Sequence, residues 1–188
     1  MSYSLSFLAV RGKVTHLILE ELHLRRTGER EAVAKAMITG VELPTGCYVI
    51  TAHQNTELMH DAMLAQLSLE CECYACFVDE QMKVTSAVGW KNGKKVWTAL
   101  HDGGKGSDHL QLRGEFPSLF GPILEGGKAL QKSGAASALF NVPVELVAAL
   151  TGYRYDRAIP GLGTDAFEVL TRAQSKEKSV ISRVLGGK

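Results

Sequence analysis

The segment Gly89-Trp90-Lys91-Asn92-Gly93-Lys94-Lys95-Val96-Trp97 constrains this chain more than any other. Asn-Gly between two runs of strand-forming residues accepts φ > 0 at both central positions of a type I′ turn, whose twist matches the flanking strands. The spacing predicts a two-residue hairpin with Lys91 opposite Lys94, Trp90 opposite Lys95 and Val88 opposite Trp97. Continued outward, Ser86 opposes Ala99 and Val84 opposes His101. One face then carries Met82, Val84, Val88, Trp90, Trp97, Ala99 and His101, so both tryptophans are expected on a single inward face.

The hairpin sits in a longer β region, from Cys71 to Gly114, where strands follow one another with no helix between and are expected to pair as a meander. Upstream, Ser4–Val10 alternates as a strand, and Val14, Leu17, Ile18, Glu21, Leu22 and Arg25 recur at helical spacing until Thr27-Gly28. Residues 29–45 show no period and read as a surface loop. Cys47–Ala52 is rich in β-branched and aromatic residues, a second strand, and Asn55-Thr56 suits the start of a helix carrying Leu58, Met59, Met63, Leu64 and Leu67. Downstream, Leu119–Gln131 reads as a glycine-interrupted helix, and another starts at Pro143 and stops near Gly152.

This order is not the regular alternation of a parallel α/β fold. It predicts an α+β protein: an antiparallel meander within 71–114, N-terminal β-α-β-α elements, and helices packed on one face. Residues 1–156 are expected to form a single domain. Residues 157–188 read as an appendage, with helical pieces at Ala166–Leu170 and Val180–Leu185.

A formal charge of +1 over 188 residues gives no broad basic field for nucleic acid or an anionic membrane. No apolar run approaches the ~20 residues a membrane helix needs. Met1-Ser2-Tyr3-Ser4-Leu5 lacks the basic start of a secretory signal, and four cysteines without framework spacing point to reduced thiols and a cytoplasmic home.

Few residues carry a chemical signal. Cys71-Glu72-Cys73-Tyr74-Ala75-Cys76 lacks the C-x2-C pairs of a zinc site, and as a strand it puts Cys71 and Cys73 on one face and Cys76 on the other. No metal site or cofactor is expected. His101-Asp102 and Asp108-His109 flank a glycine-rich turn. His101, Asp102 and His109 are therefore candidates for acid–base work, with His53 a further member, or they are the polar flanks of a flexible turn. The glycine-rich stretches fit neither phosphate nor dinucleotide spacings. Tyr153-Arg154-Tyr155-Asp156-Arg157 follows a helix end, and Tyr and Arg are over-represented at interface hot spots. Tyr153, Arg154, Tyr155 and Arg157 are thus partner-binding candidates; the alternative is that the tyrosines pack on the core and Arg154 pairs with Asp156.

Val10-Arg11-Gly12-Lys13, Leu24 to Glu31, Ser86 to Gly93 with Val96-Trp97 and His101-Asp102, and Val142 to Leu146 with Leu150 to Arg154 resemble a group of uncharacterised bacterial cytosolic proteins, over about residues 5–156. That group has no assigned activity, so the resemblance implies no catalytic residues. It carries a histidine where this chain has Gln81, which weakens any site built there. In single-domain build and lack of enzymatic signature it is similar to small bacterial immunity proteins, an analogy of fold and size. Two expectations result. One is a protein-binding module of immunity or regulatory type. The other is a small enzyme or ligand-binding protein with a His/Asp site at one end of the sheet.

Overall fold

A computed structural model describes residues 2–135 and 138–173. They build one nine-stranded antiparallel sheet in the order β2-β9-β3-β4-β1-β5-β6-β7-β8. Along the chain these are β1 (Ser4–Arg11), β2 (Leu24–Glu31), β3 (Ile38–Glu42), β4 (Cys47–His53), β5 (Glu72–Asp79), β6 (Val84–Lys91), β7 (Lys94–Asp102), β8 (Gln111–Gly114) and β9 (Phe167–Arg172). The helices are α1 (Thr15–Glu21), α2 (Asp61–Leu67), α3 (Phe120–Lys132) and α4 (Ala138–Thr151). The α+β class and the β5–β8 meander are as the sequence predicts.

The helices cover both faces of the sheet, not one. Strand β1 is central and buried on both sides, because its residues alternate between two apolar sets. Leu5, Phe7 and Ala9 join Val49, Cys76, Trp97 and the α3–α4 pair in one core. Leu8 and Val10 join Ile50, Ala75, Trp90 and the residues Ile18, Leu64 and Leu67 of α1 and α2 in the other. Each Leu, Ile, Val or Phe side chain among them contributes about 1.5–3 kcal/mol on leaving water.

The two tryptophans consequently lie on opposite faces, a second correction. Lys91 opposes Lys94 and Trp90 opposes Lys95 as expected, but Gly89, not Val88, opposes Trp97. An extra residue on β7 makes a β-bulge beside the turn, which flips every later side chain of that strand. The bulge lets Trp97 lie flat over Gly89: a Cβ on that glycine would stand 2.3 Å from the indole.

Three further differences concern the ends of elements. Residues 29–45 are not one loop, since they complete β2 and supply β3. Helix α4 begins five residues before Pro143, which sits inside it. Ala166–Leu170 is not helical: the chain after Arg157 returns to the sheet as β9, between β2 and β3, and buries Phe167 and Leu170. Val180–Leu185 lies outside the described residues. Among those described, no helix is long and apolar enough to cross a membrane.

Candidate functional site

The strand registers place the sequence-predicted histidines with respect to one another. His53 opposes Leu5, Leu5 opposes Val78, Val78 opposes Thr85, and Thr85 opposes His101. The five share one row on the α3–α4 face. Four strand spacings separate the two histidines, about 19 Å, so they do not converge on one substrate.

His101 is 3% exposed. Its ring stands edge-on to Phe140 of α4, centroids 6.0 Å apart, and its Nδ1 donates to the His109 carbonyl at 2.7 Å. In return the Asp102 amide donates to His109 Nδ1 at 3.0 Å. The Asp102 carboxylate accepts from the Gly104 amide at 3.0 Å and faces Lys105. The three residues thus close the turn between β7 and β8 with bonds to backbone.

Burial holds the His101 imidazole below its ordinary pKa of 6.5, more than the bond to the His109 carbonyl restores. The unfolded ring takes a proton near 6.5 and the folded ring only at lower pH. The unfolded state therefore holds more protons in that window, and stability falls as pH drops through it. Urea midpoints are expected to decline from pH 7.5 to 5.5, and His101→Gln should flatten that decline. An unchanged slope in the variant would assign the effect to other groups.

The Tyr153–Arg157 segment is divided in its roles. Tyr153 is a core residue, its ring edge-on to Phe7 and its hydroxyl 2.9 Å from the Thr51 hydroxyl. Arg154, 8% exposed, donates to Asp156 (2.6 and 3.1 Å), Glu145 (2.5 Å) and Asn141 (2.9 Å). Half-buried Tyr155 donates to Glu80 at 2.9 Å and packs edge-on to Tyr3. Arg157 is exposed, with one bond to Glu145 at 3.1 Å.

This segment forms one wall of a cleft of about 680 Å³. The opposite wall is the turn after β2, at Val33 and Lys35, whose shape is set by the Glu31 carboxylate accepting from the Lys35 and Ala36 amides at 2.6 and 3.0 Å. The apolar lining comes from Tyr153, Ile159, Leu162 and Phe167, and Val33 stands 52% exposed at the rim. His53 is also at this cleft, with Nε2 bonded to the Ala34 carbonyl at 3.0 Å. A carbonyl only accepts, so Nε2 carries the hydrogen and the neutral ring leaves Nδ1 as acceptor.

Charge in the cleft leans positive. Asp156 is bound by Arg154, whereas the Lys35 ammonium has no carboxylate partner among the described residues. The arrangement suits an apolar group that bears a negative charge. Sequence reading identified Tyr153–Arg157 and His53 but missed Val33, Ile159, Leu162 and Phe167. The available signal was Ile159-Pro160-Gly161-Leu162, two apolar residues held half-buried on either side of a Pro-Gly turn.

The cysteines divide between the cores: Cys71 and Cys73 on the α1–α2 side, Cys76 and Cys47 on the other. Cys71 is drawn below its ordinary pKa by its hydrogen bond with Cys73 and the nearby Lys13 charge, against the opposing effect of burial, while burial raises Cys76. Among the described residues no group of three or more His, Cys, Asp or Glu is placed to hold a metal ion. No protein-family model, no curated protein and no solved structure matches this chain.

Proposed function

We propose that this chain is a cytoplasmic protein-binding module of immunity or regulatory type, and that it captures an apolar, acidic segment of a partner protein in the cleft beside Tyr153–Arg157. The observation that carries the reading is the cleft itself, apolar in its lining, with the surplus charge of Lys35 and Arg157 at its rim. Apolar anchors in a pocket supply affinity, and rim charges supply orientation and on-rate.

The test is selection of a phage-displayed dodecapeptide library on the wild-type protein, with counter-screening on Leu162→Glu. A consensus of apolar residues beside Asp or Glu is expected, with binding at least tenfold weaker to the variant. Peptides that bind the variant equally well, or a selection without consensus, would sink the proposal. The cleft volume also falls in the range of small-molecule sites, about 300–1,000 Å³. That observation favours a second reading, a small ligand-binding or catalytic protein with His53 at its site. Thermal stabilisation by free aliphatic or aromatic carboxylates, with no peptide selected, would favour this second reading.

A further inference from the structure

Resting on the peptide-binding reading, we propose that the docking surface continues past Arg157 into the groove between α3 and α4. Its occupant is an extended peptide in which two apolar side chains flank a carboxylate, and Arg157 receives that carboxylate.

The groove follows from two adjacent glycines that do opposite things. At Gly127 a Cβ would lie 2.6 Å from Val142 Cγ2, so the helices close on each other there. At Gly126 nothing lies within 4 Å of the position a Cβ would take, which leaves an open trough. Ile123 and Leu130 border it at helical spacing on the same side of α3, and Leu130 is 57% exposed. The resulting groove holds about 390 Å³.

Groove and cleft meet at two shared residues, Arg154 and Arg157. The Arg154 guanidinium is occupied by Asp156, Glu145 and Asn141. Arg157 is not: one NH2 group reaches Glu145, its side chain is 61% exposed, and its Nε and other NH2 group have no partner among the described residues. The charged side chains lining the two hollows are Lys35, Arg154 and Arg157 against Glu145 and Asp156, a surplus of one positive charge. Both carboxylates are held by Arg154. The unfilled capacity is therefore cationic, lies at the junction, and has an apolar hollow on either side. An extended chain presents alternate side chains to one surface, which suits such an apolar–acidic–apolar order.

The probes are the synthetic peptides recovered on the wild-type protein, each with a second version in which its acidic residue is lysine. Affinities are measured by fluorescence anisotropy on wild type, Leu162→Glu, Arg157→Glu and Leu130→Asp, with circular dichroism as the fold control. Arg157 and Leu130 are exposed, so both variants are expected to fold. Arg157→Glu and Leu130→Asp should each weaken the acidic peptide about tenfold, and the lysine peptide should regain affinity on Arg157→Glu. If Leu162→Glu abolishes binding while the other two stay within twofold of wild type, the cleft reading stands and the extended groove is wrong. If no peptide depends on Leu162, the underlying reading fails first.

Discussion

Replacement of Gly89 by valine is expected to cost about 3 kcal/mol and to lower Tm by about 6–12 °C. A Cβ at Gly89 would stand 2.3 Å from both Cε2 and Nε1 of Trp97, well inside van der Waals contact. The ring belongs to an aromatic row that fixes its position. It is stacked on Tyr74 at 6.4 Å and on Phe116 at 5.6 Å, and Phe116 is itself stacked on Phe120 at 4.1 Å. Moving it would unstack the aromatic row that ties β7 to the start of α3. The cause is separable from any effect on the strand by a double-mutant cycle. Trp97→Ala alone should cost about 3–5 kcal/mol, but in that background Gly89→Val should cost less than about 1 kcal/mol. Simple additivity of the two costs, read by calorimetry, would disprove the steric account.

Gly89 also explains why the sequence predicts the hairpin and misses its consequence. The turn is legible because Asn92-Gly93 is a local requirement: both residues have φ > 0, at 50° and 75°. The bulge three residues later is not local. It answers to where a large ring finds space, and a glycine on the neighbouring strand provides it. The same holds in β3, where Tyr48 lies over Gly40: a Cβ there would be 2.0 Å from the tyrosine oxygen. Gly40 therefore reads as a loop residue until Tyr48 is placed above it. In β9 the misleading feature is two-sided burial. Phe167 belongs to one core and Leu170 to the other, so the period of two is lost and the apolar residues recur at a helix-like interval of three. The cleft was legible only at Tyr153–Arg157 and His53, because its other wall comes from the turn after β2 and much of its lining from Ile159, Leu162 and Phe167, at and before the start of β9. Sequence spacing carries no trace of that meeting.

Arg154 is the residue on which that wall depends, and Arg154→Met is expected to destabilise the protein by about 2 kcal/mol, a fall in Tm of about 4–8 °C. Methionine keeps much of the apolar volume of the stem but removes bonds to Asp156, Glu145 and Asn141 at once. Asp156 would then lose its ion-pair partner in a half-buried site, and Glu145 would keep only its bond to Arg157. Asp156 gives the effect a pH signature. Burial works to raise its carboxyl, but the bonds and charge of Arg154 outweigh that and hold it below the ordinary 3.8. A depressed carboxyl contributes stability that is present above the unfolded pKa and is lost as pH falls through the folded one. The gap in urea midpoint between wild type and Arg154→Met should therefore narrow below about pH 4, as Asp156 is protonated in both. Adding Glu145→Gln and Asp156→Asn to Arg154→Met should recover roughly half of the loss at neutral pH, because much of the cost is an unpaired Asp156 beside a Glu145 held by Arg157 alone. If the triple variant is as unstable as the single one, the loss comes from the severed link between α4 and residues 154–156. In that case Arg154 holds the cleft wall by geometry more than by charge.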